Sequence, residues 1–402
     1  MRIAILTTSY PQFLRRLYLD NPGLESKSYS EQLAARNESF FALADFYSRG
    51  FRAHGHEAVE FHLNNPWLQH AWMREQGYAV EAPPPAANGA ANAVSGTGMT
   101  GQARALLRPL LRPILRRFVP PPMPDWQFRI LRAQIEHYRP DVIYNQEPAA
   151  VPDSFLEEMR APGRLIIAQI ASARPPWHDF RVYDLVVSSL PNFVAHFRAR
   201  DVPSAYNRLA FEPSVYQQIG PQLRDIPLSF VGSVAPVHKN RLALLEYVAE
   251  RLPLMMWGND IERLPPSSPL HRCYQGEAWG RTMFEILGRS QITLNNHEAV
   301  SGIYANNLRL YEASGMGALQ LIDRKSDLHE IYLPGEEVMA FDSLEDAVRQ
   351  AEHMMVDAAT RERIAAAGQR RAFDSHSYFR RVGELLEIFD GVCRGEARSR
   401  WL

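Results

Sequence analysis

The stretch Val300-Ser301-Gly302-Ile303-Tyr304-Ala305-Asn306-Asn307-Leu308-Arg309-Leu310-Tyr311-Glu312-Ala313-Ser314-Gly315-Met316-Gly317 carries the residues of this 402-residue chain best suited to holding an anion. A strand ends near Asn295, a loop follows, and the pattern predicts a helix beginning around Tyr304–Asn306. The first amides of a helix lack intrahelical acceptors and lie at the positive end of its dipole, which suits a diphosphate. Gly302, Tyr304, Ala305, Asn306, Asn307 and Arg309 are therefore candidate nucleotide contacts. Glu312 lies one or two turns deeper, where a carboxylate can accept two charge-assisted hydrogen bonds from ribose hydroxyls. The same pattern also reads as a capped helix with Glu312 solvated on its face.

A second group, Gly232-Ser233-Val234-Ala235-Pro236-Val237-His238-Lys239-Asn240-Arg241, follows a strand and precedes a helix. Gly232 and Ser233 shape the turn, and Lys239 and Arg241 place two cations after it. The competing reading is a surface turn. Trp257 ends a strand and could line a base pocket, although such a Trp is more often core, and Asn296 follows another strand end as a substrate contact. In the first half, Thr7-Thr8-Ser9-Tyr10 form a polar loop after the first strand. Glu147, in the turn Asn145-Gln146-Glu147-Pro148, is a candidate acid or base. No Gly-x-x-x-x-Gly-Lys-Ser/Thr loop, Gly-x-Ser-x-Gly elbow or Asp-x-Asp pair is present.

These residues need a scaffold that brings strand ends together. Residues 2–8, 58–63, 141–145, 164–168 and 184–188 read as short buried strands, and 37–50 as a buried helix. Strands separated by helix-compatible segments predict an α/β fold with a doubly wound parallel sheet over about 1–205. The pattern restarts with strands at 227–233, 254–257, 290–295 and 317–322 and a helix at about 240–251. The expected domains are 1–211, 222–375 and a terminal helical region, 376–402, packing across the cleft. Two such units facing one another place a ligand cleft between the carboxyl ends of their strands.

The segment Asn306–Ala318 resembles the nucleotide-binding segment of group 1 glycosyltransferases, and more narrowly the branch of spore-coat CgeB-like enzymes. Leu328–Phe341, Ser343–Ala347 and Ile364–Gly368 are similar to the family's later loop, strand and helices, and His376-Ser377-Tyr378-Phe379-Arg380-Arg381 to its terminal stretch. The resemblance implies a GT-B fold: two Rossmann-like domains with the donor chiefly in the second and the acceptor chiefly in the first. It implies transfer from a nucleotide-diphosphate sugar, with retention, no metal and no cofactor. From the same resemblance Lys239 and Arg241 take the role of neutralising negative charge on the departing diphosphate. The acceptor is left open among a glycan, a lipid-linked glycan, a protein and a small molecule. Two positions depart from the family. Tyr304 stands where a Glu is common, eight residues before Glu312, and His178 is only the nearest counterpart by position of a first-domain His. The alternatives are a sugar-nucleotide epimerase or hydrolase on the same fold, or a non-catalytic glycan- or membrane-binding descendant with Tyr304 marking lost catalysis.

Composition sets outer bounds. With Lys+Arg 44 against Asp+Glu 45 the net charge is -1, which argues against a nucleic-acid binder. Cys273 and Cys393 are too few for a disulfide framework, and no run of about 20 apolar residues predicts a membrane span. A cytoplasmic protein is expected. The exception to even charge is the Ala/Pro/Gly-rich and then basic insertion at about 81–124, with Arg104, Arg108, Arg112 and Arg116 at four-residue spacing among leucines. Residues 102–119 could lie peripherally on the inner membrane face, or pack their leucines on the first domain and solvate their arginines.

Overall fold

The computed structural model describes residues 1–79, 123–172, 178–235 and 239–401. The first sheet contains β1 (Arg2–Thr7), β2 (Glu57–His62), β3 (Val142–Asn145), β4 (Leu165–Gln169), β5 (Leu185–Ser188) and β6 (Ser204–Tyr206). They pair in parallel in the order β2-β1-β3-β4-β5-β6. The second sheet contains β7 (Ile226–Val231), β8 (Leu254–Trp257), β9 (Ser290–Asn295), β10 (Leu319–Asp323) and β11 (Met339–Phe341), in the order β11-β10-β9-β7-β8, again parallel. Runs such as Ile3-Ala4-Ile5-Leu6 are fully buried because helices cover both faces of each sheet. Both sheets reverse their strand order beside their first strand, at β1/β3 and β7/β9. The crevice outside the carboxyl ends at such a switch point is where open α/β sheets bind ligands.

Strands read from the sequence match to within one or two residues, but β6 and β11, three residues each, carried too little pattern to register. The expected helix at 37–50 is instead two helices, Tyr29–Glu38 and Phe46–Ala53. Between them Phe40, Ala42 and Ala44 all take left-handed backbone angles (φ 56°, 53° and 41°), which no helix tolerates. The break serves a contact with the second domain. The Ser39 carbonyl accepts from the Arg281 amide at 2.6 Å, and a Cβ on Gly280 would lie 2.1 Å from that oxygen.

After the second sheet the chain returns to the first domain. Phe211 N donates to His376 O and Tyr378 N to Phe211 O, at 2.8 and 3.0 Å. The helix Tyr378–Cys393 then packs on Phe46–Ala53, with Gly50 so close to Val382 that an added Cβ would lie 2.6 Å from its Cγ2. Phe51, Phe211, Phe284, Tyr311 and Phe389 thus share one core that runs through both domains. The basic insertion lies outside the described residues except at its last two positions, 123–124. Among the described residues no helix is long and apolar enough to cross a membrane.

Candidate functional site

The second-domain side is built on the ends of β7 and β9. Beyond β7, Gly232 donates its amide to the Trp257 carbonyl, and the Gly232 carbonyl comes so near Gly258 that a Cβ there would sit 1.9 Å from it. This close approach of two backbones needs glycine at position 258. Ser233 Oγ donates to Asp260 and accepts from the Ala235 amide, each at 3.2 Å, so it braces the turn. Lys239 opens the helix Lys239–Ala249 and is exposed. Arg241, two residues on, points back over the strand ends. Its guanidinium donates to the carbonyls of Ser233 at 3.1 Å and Asn296 at 3.4 Å, with the Glu298 carboxylate 3.8 Å away.

The helix expected from Tyr304–Asn306 begins later, at Leu308, and runs to Gly315. A short turn at Ala299–Ser301 and the left-handed Gly302 (φ 60°) occupy the approach. The amides of Gly302 and Tyr304 are satisfied by the Ala299 and Ser301 carbonyls, and that of Ala305 by Asp327 at 2.6 Å. Asn307 is the cap: its Oδ1 accepts from Leu310 N at 2.8 Å, while its amide pairs reciprocally with Asn295 at the end of β9. The amides of Leu308 and Arg309 then stand at the helix start with no acceptor among the described residues. Of the residues singled out as amide donors, Gly302, Tyr304 and Ala305 are therefore occupied within the chain, and Tyr304 packs with Val300 against the first-domain core.

Glu312 is not solvated on the helix face. It is 7% exposed, and its carboxylate accepts from Arg309 Nη1 at 2.9 Å. Burial raises its pKa, opposed by Arg309. Burial also lowers the pKa of Arg309, and that of Arg241 is lowered by burial and further by the neighbouring Arg309 charge, against the attraction of Glu298 and Asp323. The Nε atoms of both arginines are buried without a hydrogen-bond partner. Two desolvated guanidiniums thus keep unspent donors, while Glu312, Glu298 and Asp323 balance their charge. Alongside, Asp323 accepts from His297 N and is contacted by its Nδ1 and by Lys325, at 2.8, 2.7 and 3.3 Å. Trp257 is only partly buried and joins the interdomain core.

The first-domain side is the loop after β1 and the turn after β3. Ser9 and Asn64 exchange hydrogen bonds at 2.9 and 2.7 Å, pinning the first loop. Burial raises the pKa of Glu147, opposed by the neighbouring Thr8. Tyr10 is 63% exposed, and its pKa is raised by burial of the hydroxyl and then by the charges of Glu147 and Glu298. Its ring meets Phe41 and Trp279, with centroids at 5.6 and 6.1 Å. His178 has no free edge: its side chain is 2% exposed, Nδ1 lies against Asp153 and Nε2 is 3.2 Å from the Tyr183 hydroxyl. Glu298 lies in the segment Asn295–Glu298 just past β9, which the sequence already offers as a substrate contact. Among the described residues no group of three or more His, Cys, Asp or Glu is placed to hold a metal ion.

This double switch-point cleft has known counterparts. Residues 240–387 match the family model described as "Glycosyl transferase-like". No curated protein matches the chain. Among solved structures, a glycosyltransferase from Rickettsia africae ESF-5 is 12% identical, covering 97% of this chain and 98% of its own, with a TM-score of 0.54. HepE from Anabaena, in complex with UDP and glucose, is 11% identical over 97% and 100%, TM-score 0.54. Sucrose-phosphate synthase from Thermosynechococcus elongatus is 11% identical over 98% and 100%, TM-score 0.54. The fold is GT-B. Residues 240–387, which include Arg241, Arg309 and Glu312, are thus similar to a glycosyl transferase-like family.

Proposed function

We propose that the chain moves a glycosyl group from a nucleotide-diphosphate sugar to an acceptor hydroxyl or similar nucleophile, without a metal ion. The observation that carries this reading is that Arg241 lies over the ends of β7 and β9 and feels the charge of Arg309, while the buried Nε donors of both are unspent. When the bond between the sugar's anomeric carbon and the phosphate oxygen breaks, its electron pair stays on the diphosphate. Preorganised cations and helix-start amides that meet this charge lower the barrier. Arg241, Arg309 and the amides of Leu308 and Arg309 are those groups, and Lys239 adds a flexible charge at the rim. Glu312, one turn along from Arg309, is the ribose anchor. Glu147 and Glu298 flank the reacting region. Glu147, with its raised pKa, is suited to exchange a proton with the incoming nucleophile. Retention of configuration is carried by the family resemblance. UDP and glucose bound to the Anabaena neighbour support a uridine nucleotide as the first donor to test.

The test is a thermal-shift screen of UDP-, GDP-, ADP- and dTDP-sugars followed by an assay of nucleotide release. A ligand present at 100 times its Kd stabilises by about 2.7 kcal/mol. Stabilisation by one nucleotide class, with release of its diphosphate, supports the reading; indifference to all four overturns it.

A further inference from the structure

His178 has a role other than contact with substrate. The Glu147 backbone amide can only donate and does so to Asn145 Oδ1 at 2.9 Å. That bond fixes the orientation of the Asn145 amide, so its Nδ2 is the donor to the Tyr183 oxygen at 2.8 Å. The single Tyr183 proton is then free to point to His178 Nε2, 3.2 Å away. Nε2 is the acceptor, and the ring proton belongs on Nδ1, beside the Asp153 carboxylate in ion-pair contact but out of line for a formal hydrogen bond. Each of the three hydrogen bonds then has one polarity, and Asp153 adds a charge contact at the end. Asn145 ends β3 and is 0% exposed, and Tyr183 is 3% exposed, so the linkage runs through the core beneath the turn that presents Glu147 to Thr8.

We propose that Asp153, His178, Tyr183 and Asn145 form a polarised chain that positions Glu147, which makes His178 and Tyr183 positioning residues for the transfer reaction. The proposal rests on the glycosyl-transfer reading for the role of Glu147, whereas the polarity of the chain does not. Such a chain holds a turn more firmly than packing alone, because each bond fixes the orientation of the next. His178 and Tyr183 are also held by the Phe180 ring, with centroids at 4.7 and 5.9 Å, so the rings stay in place when one hydroxyl is removed.

The test is Tyr183→Phe in the full chain, read with UDP-glucose turnover, UDP calorimetry and ¹⁵N NMR of His178 in the wild type. In the variant, kcat should fall tenfold or more while KM for UDP-glucose and Kd for UDP stay within twofold. The wild-type ring should be the Nδ1–H tautomer at neutral pH. An unchanged kcat, or an equal loss of UDP affinity, overturns the proposal, as does an Nε2–H tautomer. If Tyr183→Phe does not fold, the tautomer decides alone. If the wild type turns over none of the UDP-, GDP-, ADP- and dTDP-sugars, the functional reading fails, and the tautomer still tests the chain; if it uses one of the other three, that sugar nucleotide replaces UDP-glucose in the test.

Discussion

Arg309 and Glu312, three residues apart on one helix, form a 2.9 Å ion pair in which the arginine is 17% and the carboxylate 9% exposed. A buried pair of this kind is seldom retained for stability, because desolvating two charges costs nearly as much as their attraction returns. Its value lies in what it presents at the cleft. The charge of Arg309 is felt by the second cation, Arg241, and the carboxylate keeps unused lone pairs one turn from the helix start.

Glu312→Gln should test the ribose role with little change of shape. The amide accepts more weakly than the carboxylate, and the loss of one or two charge-assisted bonds of about 1.5–3 kcal/mol each predicts a fall in UDP affinity of tenfold or more. Calorimetry with the wild type as reference measures it. An unchanged Kd removes Glu312 from the donor site.

Glu147→Gln should leave UDP binding intact and lower kcat by about 10²–10⁴, the usual contribution of a positioned acid or base. If KM for the donor rises instead and kcat holds, Glu147 is a binding group.

Stability should carry an imprint of a carboxylate outside the cleft. Glu60 borders a cavity of about 320 Å³ beside β2, and burial raises its pKa to about 7 in spite of the Arg36 charge. Folding therefore favours its protonated form. That contribution is complete below the unfolded value near 4.5 and is lost as pH rises towards 7. Glu60→Gln abolishes the dependence. Relative to wild type, its unfolding free energy should improve by about 3 kcal/mol between pH 4.5 and pH 8. Denaturant titrations at the two pH values give the difference, and a constant offset would show that Glu60 does not titrate in this range. His376, its pKa pushed down to about 4 chiefly by burial, acts oppositely in both proteins and cancels from the comparison.

Interdomain docking should be sensitive to one glycine. Gly280 has a φ of 51° and no room for a Cβ against the Ser39 carbonyl, so Gly280→Ala combines strain with overpacking. A loss of about 1–3 kcal/mol in chemical denaturation is expected. A neutral result would mean that the Ser39–Arg281 contact is not maintained in solution.

How far the sequence could be read follows from where each signal is stored. Strands buried on both faces announce themselves as apolar runs, and so β1, β3, β5 and β9 were legible. The segment around Glu312 was legible because an Asn cap, a charged pair and closing glycines recur within a dozen residues. The split at 39–45 was not. The apolar residues Phe40, Phe41, Leu43 and Ala44 fit a helix face, and only the Ser39 carbonyl meeting Arg281 in the other domain draws them into left-handed turns. The occupied amides at 302–305 were hidden for the same reason, since Asp327, which takes the Ala305 amide, lies 22 residues away. His178 invited a chemical reading by type, while its partners Asp153 and Tyr183 become visible only in the fold. Glu298 sat past a strand end, and the Arg241 contact that singles it out is a tertiary one.

The central claim is that the diphosphate of the donor rests on Arg241 beside Arg309. Calorimetric titration of UDP into the wild type and into Arg241→Ala tests it most directly. Saturable binding by the wild type is expected, with a loss of tenfold or more in the variant and a smaller loss for the exposed Lys239→Ala. Equal affinity of wild type and Arg241→Ala would contradict it.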